Sequence, residues 1–222
     1  MGSKYTLIKM KIFAIGDIHG MKNEIMSLIK KLPLFPEDLV IFLGDYIDRG
    51  YDSKGTIDFL LFFKKKHPNV IFLKGNHEDM LLSYINREFN ENIYFFNGGE
   101  KTLKSYNIPS TEYPYAKQYI PEEHLNFLRN LPLYYEKNEY LFVHAGLRAG
   151  IPLDMQNPED LLWIREEFIY SEEDFGKIVI FGHTVFPEPL IMKNKIGIDT
   201  GIVFGGKLTA LELPTIKFYF VS

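Results

Sequence analysis

Acidic, amide and imidazole side chains recur in this sequence directly after apolar runs, each beside a glycine or another small residue. The first half carries Gly16-Asp17-Ile18-His19-Gly20, Gly44-Asp45-Tyr46-Ile47-Asp48-Arg49-Gly50 and Gly75-Asn76-His77-Glu78. The second carries Val143-His144-Ala145-Gly146 and Phe181-Gly182-His183-Thr184. Imidazole with carboxylate suits manganese, iron or zinc, whereas all-oxygen sets suit magnesium or calcium. A hydrolase that uses two ions about 3.5–4 Å apart needs a carboxylate serving both. Asp17 and His19 are two residues apart, so on an extended segment they face the same way and can grip one ion. Asp45 is the natural bridge, and Asn76, His144 and His183 complete the second ion.

Taken singly, these residues mean little. An Asp after a strand is more often a turn or helix cap than a ligand. The distribution of histidines argues otherwise: of the 6, His19, His77, His144 and His183 all fall inside the motifs. His67 precedes a proline and His124 sits between Glu and Leu on a helical stretch, so both are assigned to surface or packing roles. Glu78 reads as a first-turn acid favoured by the helix dipole, Trp163 as packing behind the site rather than the alternative of a substrate contact, and Asn97-Gly98-Gly99 as a turn.

The elements that must position these groups are legible as alternating patterns. Lys11–Ile15, Leu39–Leu43 and Val70–Leu73 are apolar runs of strand length, each followed by a helical pattern, the second from Ser53 to Lys65 with Ser53 as N-cap. Fully apolar strands alternating with amphipathic helices predict a parallel sheet covered on both faces. Carboxyl ends of such strands line one crevice, where ligands bind. Residues 86–121, rich in Asn, Tyr, Gly and Pro, predict an inserted lid of short helices and turns. A helix near Glu122–Asn130 follows, then runs at Tyr140–Val143, Ile178–Phe181, Lys195–Ile198, Leu208–Leu213 and Lys217–Val221. Their close spacing predicts a mainly antiparallel C-terminal half. One α/β catalytic domain over residues 1–222 is the expectation.

Composition narrows the function classes. The 222 residues carry no cysteine, which removes disulfides, thiolate metal sites and cysteine nucleophiles together. A net charge of −4 without a basic stripe argues against a nucleic-acid partner, and no run is long and apolar enough for a membrane span. Met1-Gly2-Ser3-Lys4-Tyr5-Thr6 matches the loose myristoylation pattern, but so short a match assigns no anchor.

In their order, the motifs resemble the signature of the PPP-type serine/threonine protein phosphatases, in particular the small bacterial and bacteriophage members. Leu162-Trp163-Ile164-Arg165-Glu166 and Gly197-Ile198-Asp199-Thr200-Gly201 resemble further stretches of them, and the similarity runs from about residue 11 to 213. Any one motif is weak; the ordered set is specific. The resemblance implies an α/β fold, a mixed β-sandwich flanked by helices, with metals at the strand edges. It implies two divalent ions, manganese with iron or zinc as alternatives. Asp17, His19 and Asp45 would hold one, and Asp45, Asn76, His144 and His183 the other. Arg49 and Arg165 would grip phosphate, His77 would be the general acid and Asp48 its orienting partner. The implied activity is hydrolysis of phosphoserine and phosphothreonine monoesters by in-line attack of a metal-bridging hydroxide. A phosphoprotein or phosphopeptide is then the substrate, and a cytoplasmic monomer the expected form. A rival in the same superfamily is the symmetrical diadenosine tetraphosphate hydrolase or another nucleotide phosphohydrolase. The symmetrical enzymes typically read Gly-Asp-x-x-Ala-Arg-Gly, without the Asp found here at Asp48. A binding module without catalysis is a third reading, disfavoured because no motif position departs from the pattern.

Overall fold

Strands that must be apolar on both faces need a layer on each side, and here one of those layers is a second sheet. The computed structural model describes residues 10–88 and 90–222; the opening hexapeptide discussed above lies outside them. The strands are β1 (Ile12–Ile15), β2 (Leu39–Phe42), β3 (Val70–Phe72), β4 (Tyr134–Lys137), β5 (Tyr140–Val143), β6 (Ile178–Phe181), β7 (Leu190–Ile191), β8 (Lys195–Gly197), β9 (Asp199–Thr200), β10 (Lys207–Leu213) and β11 (Lys217–Val221). The helices are α1 (Lys22–Lys31), α2 (Ser53–Lys66), α3 (Asn76–Ile85), α4 (Glu91–Phe96), α5 (Gly99–Ser105), α6 (Glu122–Arg129), α7 (Pro158–Trp163) and α8 (Glu166–Ile169).

One sheet runs in the order β11-β10-β1-β2-β3, with β9 on β10; the other runs β4-β5-β6-β8-β7. Ile12, Ala14, Leu39 and Ile41 of the first sheet meet Phe142, Ile180 and Ile196 of the second in the inter-sheet core. The alternate residues Phe13, Ile15, Val40 and Phe42 point outward into a core shared with α1, α2, α3 and α6. Leu141, Val143, Val179 and Phe181 do the same on the second sheet, under Phe168 and Ile169 of α8. The period of two in a strand thus feeds two cores from one apolar run. The result is the mixed β-sandwich flanked by helices.

The C-terminal half departs from the antiparallel expectation. β5, β6 and β8 are parallel; antiparallel pairing is confined to the edge strands β4 and β7 and to β10 with its neighbours. Spacing misleads here because α7 and α8 form a crossover between β5 and β6, and β7 is added outside β8 rather than between it and β6. Short β4, β7 and β9 carry no clear run in the sequence. The cap of α2 also differs: Asp52, not Ser53, accepts from Gly55 N (2.8 Å), which leaves the Ser53 hydroxyl to accept from Asp48 N (3.1 Å). The inserted segment is no loose flap. Its α4, α5 and the 3-10 turn at Ser110–Gln118 bury Tyr94, Leu103, Tyr106 and Tyr113 in the main helical core.

Candidate metal centre

The site lies where the two sheets present the carboxyl ends of β1, β2, β3, β5 and β6. Backbone strain marks it. Among the described residues nine non-glycine positions have positive φ, and five of these are His19, Asp45, Asp48, Arg49 and His183. Such conformations cost about 1–3 kcal/mol each and persist where surrounding contacts over-determine them. Gly44, at φ 108°, makes the crowding possible: a Cβ there would sit 2.6 Å from Gly75 N and 3.0 Å from His144 Nδ1.

Asp45 is the centre of the arrangement. Its backbone N–H donates to Glu78 Oε2 (2.9 Å), and its Oδ1 accepts from His77 N (3.1 Å). Oδ1 faces His144 Nε2 at 3.4 Å, while Oδ2 faces His19 Nε2 at 3.5 Å and His77 Nε2 at 3.8 Å. The carboxylate thus turns one oxygen to each of two buried groups, His19–Asp45–His77 and Asp45–His144–His183, each compact enough to hold one ion.

The imidazoles are set as acceptors toward that centre. His19 Nδ1–H donates to the Ile47 carbonyl and His144 Nδ1–H to the Leu43 carbonyl, each at 2.9 Å. Both Nε2 atoms are left with a lone pair. The His144 lone pair then faces Asn76 Oδ1 at 2.9 Å, two acceptors with no proton to share. His183 Nε2 is buried with no partner at all. Converging acceptors, with His183 Nε2 orphaned among them, suit divalent cations.

Asp17 and Asn76 lie outside the two His/Asp groups but border them. Asp17 accepts from His183 N at 3.0 Å, and Asn76 adjoins His144 as described. His77 occupies the place in the first group that the sequence reading gave to Asp17. Its Nδ1 bonds Asp48 Oδ2 at 2.8 Å. Asp48 is itself held by Tyr94 Oη (3.1 Å) and Thr102 Oγ1 (2.5 Å) from the inserted helices. Arg49 Nη1 donates to His19 Nε2 (2.7 Å) and Arg165 Nη1 to the His183 carbonyl (2.9 Å). All ten predicted side chains converge.

Electrostatics separate their tasks. Burial pulls His19 down to about 3 and also lowers His144 and His183, which keeps these rings neutral, the ligand form. Burial pushes Asp45 up, but the His144, His77 and His19 rings around it prevail and hold it well below the ordinary carboxylate range. Burial also opposes charge on His77; there the Asp45 and Asp48 carboxylates win, and its pKa is raised. Asp17 is pushed well up by burial, then by Asp199 and Asp45. Burial likewise raises Asp199 to about 6. Such crowding of carboxylates is what a cation would relieve.

Several contributors were not legible beforehand. Glu78 is no mere dipole residue: fully buried, it accepts from Asp45 N, Tyr46 N and Gly75 N at 2.8–2.9 Å and staples two ligand loops together. Burial, then Asp45, raises it to about 8. Tyr94 and Thr102 gave no signal, being ordinary residues of a weakly patterned segment. The Asn97-Gly98-Gly99 turn reaches the site, where the Gly98 carbonyl accepts from Arg49 N (3.2 Å). Trp163 is partly open and stands edge-on to His183.

A mixed sandwich with this buried Asp–His–Asn centre defines a metal-dependent phosphoesterase. The chain belongs to the calcineurin-like phosphoesterase family, which it matches over residues 10–220. Among individual relatives it is 30% identical to the asymmetrical bis(5'-nucleosyl)-tetraphosphatase PrpE of Geobacillus sp. (strain WCH70), over 94% of this chain and 92% of that protein. Its fold is similar to a crystal structure described as a proposed diadenosine tetraphosphatase (TM-score 0.72, 22% identity, covering 97% of this chain and 94% of the other). It is also similar to a Saccharomyces cerevisiae protein serine/threonine phosphatase with similarity to human PP5 (TM-score 0.64, 18% identity, 92% and 72% covered).

Proposed function

We propose that this protein is a dinucleoside polyphosphate hydrolase, cleaving a bis(5'-nucleosyl) tetraphosphate at a phosphoanhydride. The observation that carries this reading is end-to-end similarity to the asymmetrical tetraphosphatase of Geobacillus sp., joined to a site whose arginines flank one buried centre. The rival favoured by the PPP-like motifs, a protein phosphatase, draws its support from the Asp48–His77 pair. That pair argues against the symmetrical dinucleotide enzymes, whose motif lacks the Asp; it does not argue against an asymmetrical one.

In this reading Asp17, His19 and Asp45 hold one divalent ion and Asp45, Asn76, His144 and His183 the other, with manganese the favoured metal and iron or zinc as alternatives. Ions held there would supply Lewis acidity to the phosphoryl oxygens and to the attacking water. Arg49 and Arg165 grip the non-bridging oxygens; a planar guanidinium does so bidentately and stays charged. His77, kept protonated by Asp45 and Asp48, is the general acid. Its Nε2 has no partner within the protein, which leaves it free to protonate a leaving oxygen.

A substrate panel in manganese tests this reading: diadenosine tetraphosphate, a phosphoserine peptide and p-nitrophenyl phosphate. The dinucleotide should show the highest kcat/KM and yield one nucleoside triphosphate and one monophosphate. A preference for the phosphopeptide would transfer the assignment to the protein-phosphatase reading.

A further inference from the structure

Two open aromatic rings border the centre, one beside each group of ligands, each with an arginine nearby. The Arg49 guanidinium lies over the Phe204 ring, 5.5 Å from its centroid, and the same arginine touches His19. On the other side Trp163 stands 5.9 Å from the His183 ring, two residues before Arg165, which bonds the His183 carbonyl. Both rings remain open to solvent, Phe204 66% exposed and Trp163 37%. Phe204 is presented by a short turn, Ile202–Phe204, bounded by Gly201 and Gly205 in left-handed conformation, while Ile202 is buried beneath it.

Phosphate needs the arginines and gains nothing from the rings. A lone exposed aromatic is ordinary, but a ring beside each arginine suits a substrate that is anionic in the middle and flat and apolar at its ends. Beyond Trp163 and Arg165 opens a groove of about 640 Å³, with Arg148, Glu166 and Glu167 among its walls. Carboxylates there repel a continuing phosphate chain, yet accept hydrogen bonds from ribose hydroxyls and exocyclic amines. We propose that Trp163 and Phe204 are the nucleobase platforms of the substrate site, with the phosphate chain running between Arg165 and Arg49. This rests on the nucleotide-hydrolase reading above and names the residues that read the nucleoside ends.

Trp163 is the single tryptophan of the chain, so fluorescence excited beyond the tyrosine absorption band reports on it alone. Diadenosine tetraphosphate should quench it saturably in both metal-stripped and manganese-loaded protein; inorganic tripolyphosphate should not. In kinetics, Trp163→Leu and Phe204→Leu should each lower the ratio of kcat/KM for diadenosine tetraphosphate to that for tripolyphosphate by about fivefold or more, as expected when a base–aromatic stack is lost. The change should fall mainly on KM, and Trp163→Phe and Phe204→Tyr should keep the ratio near wild type. If the wild type cleaves the dinucleotide but neither Leu variant moves the ratio, or if both ligands quench alike, the platforms are refuted while the enzymatic reading stands. A wild type with no turnover of the dinucleotide removes that reading and the platforms with it.

Discussion

The Asp45 carboxylate and the His77 ring sit 3.8 Å apart at Oδ2 and Nε2, and the same surroundings drive them in opposite directions, one to a bare carboxylate and the other to an imidazolium. That division predicts how His77 serves catalysis. An alkoxide is a poor leaving group and needs a proton, whereas a nucleotide or a nitrophenolate departs with little help. General acid catalysis is worth about 10²–10⁴-fold, so His77→Asn should remove about that much from phosphoserine peptide hydrolysis. Losses on diadenosine tetraphosphate and p-nitrophenyl phosphate should be far smaller, with metal content matched by elemental analysis. Because the His77 pKa is raised, the acid form persists past the ordinary value near 6.5 and is lost as pH rises through the shifted one. Equal losses on all three substrates would remove His77 from proton transfer.

At the scale of elements, the inserted helices matter as supports for the site. α4 and α5 deliver Tyr94 and Thr102 to Asp48, and the segment is fastened to the body by His124 of α6. That ring accepts from Tyr106 Oη at Nδ1 (2.8 Å) and donates from Nε2 to Asp58 of α2 (3.0 Å). The neutral Nε2–H tautomer makes both bonds in this sense, and burial lowers the His124 pKa despite Asp58. The unfolded chain then takes the proton more readily than the folded one. Stability should fall as pH drops below about 6.5, the unfolded value, until the folded pKa is passed. Urea unfolding at pH 7.5, 6.5 and 5.5 should show this decline, and His124→Gln should flatten it. An unchanged slope in the variant would assign the acid sensitivity to other groups.

For the whole molecule, the centre joins both sheets: Asp17 follows β1, Asp45 follows β2, and His144 and His183 follow β5 and β6 of the second sheet. Without cations, the Asp199 and Asp45 carboxylates raise buried Asp17 above what burial alone does. Ions that bind only the folded form add stability by mass action, about 2.7 kcal/mol at a hundredfold excess over Kd. Chelator-treated protein should therefore melt at a lower temperature, and added manganese should raise Tm with concentration. Asp45→Asn should blunt that rise, because the carboxylate faces both ligand groups. A wild-type Tm indifferent to manganese would count against a metal centre in this chain. Among the described residues no helix is long and apolar enough to cross a membrane.

The order and types of the motif residues determined the chemistry of the centre before any fold was known, because ligand identity is local. Each acid, amide or imidazole sits at the end of its own apolar run, and the turn glycines travel with it. Helix and strand positions in the first half were equally legible, since each run is bounded by its own punctuation. Strand direction in the second half was not, as parallel pairing of β5, β6 and β8 depends on crossovers that a local pattern does not encode. Tertiary structure alone decided that Glu78 staples two loops, that Tyr94 and Thr102 hold Asp48, and that Phe204 meets Arg49. Those contacts join residues from 32 to 155 positions apart, and nothing in a residue's own neighbourhood reports a partner at that distance.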